Sequence, residues 1–312
     1  MKNKIRSFLV SLKNNNPWLL LLWHKNQLRK GIINLKNYSD IEAVNKLYLE
    51  YSGKLPNIEN PKTFSEKQQW LKLNYHNPLM TICADKHKVR AYLIEKGYES
   101  ILSTIIGYYK TIDEFKTESL PNKFVLKASH GSGWNLIVKD KNLISWVPWK
   151  KIMQCWLDNN IFWSGREWPY KNMAHGIICE EYMEDESGQL MDYKFFCFNG
   201  NVKFVQANKG RGTEKHAQNF YDLYWKLLPF GKNLEPLPDV NIKQPICLEE
   251  MIAIAKDLSK GFPFVRVDLY EINGNIIFGE MTFFPKSGLP DFTPIEYDTI
   301  IGDMLTLPEP II

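Results

Sequence analysis

Phe264-Val-Arg-Val-Asp-Leu-Tyr270, a turn around Asn273-Gly274, and Ile276-Ile-Phe-Gly-Glu-Met-Thr282 set the terms for the remainder of this 312-residue chain. Both runs are β-prone, and the Asn-Gly pair is a strong hairpin signal. Side chains alternate along a strand, so Arg266 and Asp268 share one face while Val265, Val267 and Leu269 share the other. In the second run Phe278, Glu280 and Thr282 share a face by the same rule. Register then decides the chemistry. A two-residue turn pairs Asp268 with Gly279 and sends the two carboxylates to opposite faces; a three-residue loop, Asn273-Gly274-Asn275, pairs Asp268 with Glu280 and Arg266 with Thr282. The expectation is an odd-length loop. Two adjacent carboxylates in apolar strands repel and are costly to bury, and a hard divalent cation with oxygen ligands removes both costs. The alternative is a pair of solvated strand carboxylates; the apolar flanks and Arg266 on the same face argue against it.

Upstream stand groups suited to a polyphosphate. Phe124-Val-Leu-Lys-Ala128 breaks at His130-Gly-Ser-Gly133 and resumes as Asn135-Leu-Ile-Val-Lys139, a hairpin with a Gly-rich tip. Lys127 sits at its strand end, and the backbone N–H groups of a glycine-rich turn approach phosphate oxygens without side-chain interference. Such tips are also common where nothing binds. Ile177-Ile-Cys-Glu-Glu-Tyr182 is a strand ending in acids, Glu180 and Glu181, a pattern that suits backbone contacts to a base and a carboxylate on ribose hydroxyls. Lys194, after Asp192-Tyr193, offers a further cation near the phosphates. No G-x-G-x-x-G follows a strand, and no Gly-Lys-Ser/Thr closes a Gly-rich loop, so neither a dinucleotide fold nor a Walker A site is indicated.

The wider texture is α+β. Residues 1–80 read as helical: Ile41–Tyr51 and Ser65–Leu73, the latter capped by Thr63 or Ser65, are separated by a Pro/Asn-rich connection at 55–61. Residues 82–97 read as one helix ending at Gly97, opened by Asp85-Lys86. Helices follow at Val147–Leu157 and Leu248–Leu258, and strands at Gly176–Tyr182, Tyr193–Phe198 and Val202–Ala207. There is no repeat and no low-complexity tract. The composition is that of a globular protein, with 44% hydrophobic and 24% charged residues. The net charge of +4 is spread along the chain, so no nucleic-acid partner is expected. Five cysteines without a C-x-x-C pair suit a reducing cytoplasm and argue against a zinc knuckle. Pro17-Trp-Leu-Leu-Leu-Leu-Trp23 is too short to span a bilayer; with the basic segment Met1–Lys13 it suits either a packed helix or a contact at the inner membrane face.

Taken in order, the pieces resemble an ATP-grasp enzyme, and more closely the TupA-like branch found among teichuronopeptide and cell-surface polysaccharide biosynthesis proteins. The stretches that carry this are Asn60-Pro-Lys-Thr-Phe-Ser-Glu-Lys67, Asp85-Lys-His-Lys-Val-Arg90, Phe124-Val-Leu-Lys-Ala-Ser-His-Gly-Ser-Gly-Trp-Asn135, Asp192-Tyr-Lys-Phe-Phe-Cys-Phe-Asn-Gly200, Phe262-Pro-Phe-Val-Arg-Val-Asp268 and Phe278-Gly-Glu-Met-Thr282. The resemblance covers residues 40–308. It implies two α/β subdomains of antiparallel sheet in residues 81–308: 81–182 with a lid hairpin near 123–139, and a metal-binding part at 183–308, after the helical region 1–80. It implies ATP held by Lys86, Lys127, His130, Gly131, Ser132, Gly133, Glu180, Glu181 and Lys194, with Lys127 and Arg266 stabilising the transferring phosphoryl group. It implies Mg²⁺ on Asp268, Glu280 and Thr282. Many ATP-grasp enzymes end this strand in Glu-x-Asn, and Thr282 stands where the Asn would be, which weakens a second metal position.

The activity so implied is a carboxylate–amine ligase working through an acyl-phosphate, with a small or polymer-linked sugar acid and an amine as substrates. The aromatic stretch Trp156–Tyr170 suits either stacking on sugar rings or ordinary packing. Two other classes compete. A glycosyltransferase of the same pathways would show an Asp-x-Asp after an apolar strand, and the nearest approach is Glu184-Asp185-Glu186 in a polar turn. A non-catalytic carbohydrate-binding component would have no use for Lys127, Asp268 and Glu280 together.

Overall fold

A computed structural model of the chain describes residues 16–184, 190–210, 216–232, 237, 239–240 and 242–312. Helices come first. Asn16 caps α1 (Pro17–Leu28) by accepting from the backbone of Trp18 and Leu19. Ser39 and Glu42 form a capping box on α2 (Asp40–Ser52), and Thr63 with Glu66 forms another on α3 (Phe64–Asn74), which settles the choice between Thr63 and Ser65. Among the described residues no helix is long and apolar enough to cross a membrane. The basic segment Met1–Lys13 lies outside the described residues.

The single helix expected over 82–97 is two, α4 (Pro78–Ala84) and α5 (Val89–Glu95). Asp85 breaks it. Its Oδ1 accepts from the backbone N–H of His87 (2.9 Å) and Lys88 (3.2 Å), so the side chain offers the backbone a turn in place of the helical ladder. Lys86 leaves the helical path as a result, and its own N–H donates to Ser129 O across at the Gly-rich loop.

Two antiparallel sheets follow. The first contains β1 (Ile105–Tyr109), β2 (Phe124–Ala128), β3 (Asn135–Val138) and β4 (Ile177–Glu181) in the order β1-β4-β2-β3. Alternation along β2 buries Phe124, Leu126 and Ala128 together with Ile152, Met153 and Trp156 of α6 (Trp146–Asp158). Lys127 therefore faces away from that core. The second sheet contains β5 (Met191–Phe198), β6 (Asn201–Lys209), β7 (Ala217–Tyr221), β9 (Phe264–Ile272) and β10 (Asn275–Thr282) in the order β10-β9-β5-β6-β7. On one face Phe195, Val205, Val267 and Leu269 share a core with Met251, Ala255 and Leu258 of α7 (Leu248–Leu258). A two-stranded ribbon, β8 (Gly231–Lys232) with β11 (Phe292–Thr293), stands beside it. The architecture is thus α+β, with helices before two antiparallel sheets.

The β9–β10 hairpin meets the expected pairing by an unexpected route. Asp268 opposes Glu280, and Arg266 opposes Thr282. The loop, however, is the two-residue turn Asn273-Gly274, with Ile272 paired to Asn275 and both turn residues at positive φ (52° and 81°). That even turn suits the strand twist. Parity is restored further along, where the register shifts between Phe278 and Glu280 and leaves Gly279 as a bulge. A Cβ on Gly279 would lie 2.9 Å from the carbonyl O of Asp268 and 2.9 Å from the Tyr270 ring, so only glycine fits. The bulge also corrects the expected grouping of Phe278 with Glu280 and Thr282. Phe278 opposes Leu269 and faces the core with Met281, while Glu280 and Thr282 face the other way.

Candidate active site

Asp268 is buried and anchors the site. Its Oδ1 accepts from Arg266 Nε at 2.6 Å, and its Oδ2 accepts from Arg266 Nη2 at 2.7 Å and from Lys194 Nζ. Lys194 Nζ also lies 2.9 Å from Asp192 Oδ1. Arg266 Nη2 reaches across the hairpin to Thr282 Oγ1 (3.1 Å) and Glu280 Oε1 (3.3 Å), and the Thr282 hydroxyl donates to the same Oε1 at 3.3 Å. The bulge makes this possible by placing Arg266, Asp268, Glu280 and Thr282 on one face.

The first sheet supplies the opposing wall. Lys127 Nζ lies 2.5 Å from Glu180 Oε2, and Ser103 Oγ donates to Glu180 Oε1 at 2.8 Å. Lys86 joins the walls: its Nζ donates to the carbonyl O of Gly131 at 2.7 Å and lies 3.9 Å from Glu280 Oε2. The loop residues Ser132 and Gly133 are exposed at the tip. His130 is placed differently from them. Its ring is buried, with Nε2 2.7 Å from Trp156 O and Nδ1 accepting from Gly176 N–H at 3.3 Å, so it anchors the loop to α6 and β4. Burial pushes its imidazole down to about 4, against the backbone contact to Trp156. Glu181 is exposed beyond Glu180 and opposes Phe124. Lys86, Lys127, Glu180, Lys194, Arg266, Asp268, Glu280 and Thr282 are therefore brought together, whereas the side chains of His130 and Glu181 point elsewhere.

Three residues of the cluster were not singled out from the sequence: Ser103, Asp192 and Arg90, whose guanidinium acts on Glu180 from α5. Asp192 was the legible one, since it shares a strand face with Lys194 two residues on. Of the aromatic stretch, Trp156 and Phe162 are core residues, and Trp168 stacks on His76 at 3.8 Å, so these rings serve packing. Of the acidic turn Glu184-Asp185-Glu186, the last two residues lie outside the described residues.

The electrostatics follow from this crowding. Burial raises Glu280, but Lys86, then Arg266, Lys194 and Lys127 outweigh it and hold the carboxyl down to about 2. Burial likewise raises Glu180, and the Lys127 ammonium with the Ser103 hydroxyl turns the balance downward. At Asp268 burial wins over Arg266 and Lys194, and the carboxyl lies above its ordinary value. Among the described residues no group of three or more His, Cys, Asp or Glu forms a ready cage. The donors are two carboxylates and a hydroxyl, all oxygen. Glu280 retains 39% of its side-chain exposure, and its Oε2 lies beyond hydrogen-bond reach of Lys86. This donor set fits a hard cation that completes its shell with phosphate oxygens and water.

The description TupA-like ATPgrasp names the family model that matches residues 66–306. A search of curated proteins gave no match. Among solved structures, D-alanine–D-alanine ligase from Bacillus anthracis complexed with ATP is 15% identical, over 65% of this chain and 55% of that one, with a TM-score of 0.38. The ATP-grasp ligase PsnB with minimal precursor, Mg and ADP is 12% identical over 70% and 57%, with a TM-score of 0.36. D-cycloserine synthetase DcsG is 14% identical over 73% and 72%, with a TM-score of 0.40. This chain spans little more than half the length of the first two. With the family model matching most of its length, the chain belongs to the TupA-like ATP-grasp family.

Proposed function

We propose that this protein is an ATP-dependent carboxylate–amine ligase that joins a sugar acid to an amino acid or amino sugar during cell-surface polysaccharide biosynthesis. The observation that carries the reading is the position of Lys86, between the Gly-rich loop and Glu280. Cations from two sheets converge there on the carboxylates of one hairpin. In the contacts described above, Lys86, Arg90, Lys127, Lys194 and Arg266 face Glu180, Asp192, Asp268 and Glu280, so the protein's own cations exceed its carboxylates by one. A polyphosphate adds negative charge that a divalent cation offsets, and this favours Mg-ATP as the bound species.

In this reading Lys127 and Lys86 hold the phosphates against the Gly-rich loop, and Glu180 keeps Lys127 extended. Asp268, Glu280 and Thr282 hold Mg²⁺, which when bound neutralises charge on the transferring group. Arg266 stabilises the same charge as it develops. The substrate carboxylate attacks the γ-phosphorus with departure of ADP. The amine then adds at the acyl carbon, loses a proton, and expels inorganic phosphate. No protein nucleophile is required. The two-part division at 81–182 and 183–308 corresponds in this reading to a lid-bearing wall and a metal-bearing wall.

The test is product analysis. ADP and phosphate in equal amounts, released only when a sugar acid and an amine are both present, is the expected result. Stabilisation by UDP-sugars and not by Mg-ATP would replace the ligase with a glycosyltransferase. The exposed side chains of Trp18, Leu19, Leu22 and Trp23 on α1 support a peripheral contact at the inner membrane face. Co-sedimentation with anionic vesicles, lost in a Trp18→Ser/Trp23→Ser variant, tests that part separately.

A further inference from the structure

The sheet face that carries Asp268 and Glu280 changes character along its strands. Toward one end it is aromatic: Phe198 and Phe264 pack under Phe64 of α3, with ring centroids 5.8 Å and 4.9 Å from it. Toward the other end the same face is polar. Lys194 stands between Asp268 and Gln206; two residues away Asp192 stands between Tyr270 and Asn208, and Asn208 opposes Gln218. Gln206, Asn208 and Gln218 are 7%, 4% and 8% exposed. Burying carboxamides where the neighbouring half of the face uses phenyl rings costs stability unless each polar atom is bonded.

Their bonding is incomplete. Gln206 Nε2 donates to Asn208 Oδ1 at 3.4 Å, and His216 Nε2 lies 3.4 Å from the same oxygen. Gln218 Nε2 donates to Lys232 O at 3.3 Å. All are near the outer limit of a hydrogen bond. Among the described residues, Asn208 Nδ2 is buried without a hydrogen-bond partner. A fold that needed only to fill this space would have no use for that amide.

We infer that the row Gln206, Asn208 and Gln218 is the floor of a subsite for a polyhydroxylated carboxylate, with Asn208 Nδ2 donating to a ligand oxygen and the ligand's carboxylate directed toward Lys194 and Arg266. This rests on the ligase reading given above and assigns the residues that hold its acid substrate. The amides form one polar cluster, since Gln206 Nε2 lies 3.4 Å from Asn208 Oδ1 and Asn208 opposes Gln218 on the next strand. Each carboxamide both donates and accepts, as a hydroxyl-bearing ligand requires.

The experiment is calorimetric titration of the full chain, loaded with Mg-AMP-PNP, with glucuronate and galacturonate as probes and butyrate as a carboxylate without hydroxyls. The expected result is binding of a uronate over butyrate, weakened by about tenfold or more in Asn208→Leu. Asn208→Ala removes the donor without the bulk of leucine or an added charge, so it weakens the uronate similarly and guards against a folding defect in the Leu variant. Separately measured Mg-AMP-PNP affinity stays at the wild-type value in both. Uronate binding unchanged in both variants, or butyrate bound as well as either uronate, or no uronate bound by the wild type, would each overturn the subsite. Absence of Mg-AMP-PNP binding by the wild type, with uronate binding and its Asn208 dependence intact, would instead overturn the nucleotide reading and leave the subsite standing.

Discussion

Asp268 and Glu280 stand opposite each other although the turn joining their strands has an even number of residues, because Gly279 bulges out between them. Gly279→Ala puts a Cβ 2.9 Å from Asp268 O and from the Tyr270 ring. The strand must shift to relieve this, at a cost of about 1–3 kcal/mol. Glu280 moves with it. The expected outcome is a folded protein, by denaturant titration, whose Mg-ATP thermal shift is largely lost. A wild-type shift in this variant would show that the bulge does not set the site.

Lys127 and Glu180 are a part-buried ion pair, so single and double substitutions should differ. Lys127→Ala leaves the Glu180 carboxylate with Ser103 and the field of Arg90 but without its ion-pair partner, and is expected to destabilise by about 1–3 kcal/mol. Lys127→Ala/Glu180→Gln removes the stranded charge and recovers part of that loss. ATP affinity falls in both, since both lack the ammonium. Recovery of ATP binding in the double variant would move the phosphate contact elsewhere.

The Glu280 carboxyl is held down to about 2 from an ordinary 4.5. A depressed folded value contributes stability above the unfolded value, and that contribution is lost as pH falls through the folded one. The gap in unfolding free energy between the wild type and Glu280→Gln should therefore be level from about pH 8 to about pH 5 and close progressively below about 4.5. Urea titrations of both proteins across this range decide it; a gap that widens on acidification would contradict the assignment.

Lys72 is buried, Glu167 is half-buried, and the charge of each acts on the other. Burial pushes the Lys72 ammonium down to about 8 against the pull of Glu167, and pushes the Glu167 carboxyl up to about 7 against the pull of Lys72. Lys72 also donates to Ser287 O (2.6 Å) and Ser287 Oγ (2.9 Å), which holds the loop after β10 with Lys286 and Ser287 at positive φ. Lys72→Met and Glu167→Gln are each expected to destabilise. The double variant should be more stable than the sum predicts, with a coupling of about 1–3 kcal/mol in a denaturant double-mutant cycle. Additive effects would mean that the two groups do not sense each other.

Much of the hairpin was legible in its residues. Alternation placed Arg266 with Asp268, and the demand that two carboxylates share a cation selected the pairing of Asp268 with Glu280. The means of achieving it was misread, although a signal was present. The apolar positions of β10 run Ile276, Phe278, then Met281, so the spacing of two becomes three across Gly279, which is the mark of a bulge. The break at Asp85 was legible in the same way, as a side chain able to compete with a helix for backbone donors.

The local order of charge, glycine and apolar periodicity was enough to assign strands, the Gly-rich turn and the family. These depend on neighbours a few residues apart, and such neighbours are written consecutively. Which way His130 turns, that Lys86 spans from Gly131 to Glu280, and that Asn208 is buried with an amide unpartnered among the described residues were decided only by tertiary structure. Each depends on groups dozens of positions away in the chain, brought within a few ångströms by packing, and no periodicity in the sequence encodes that distance.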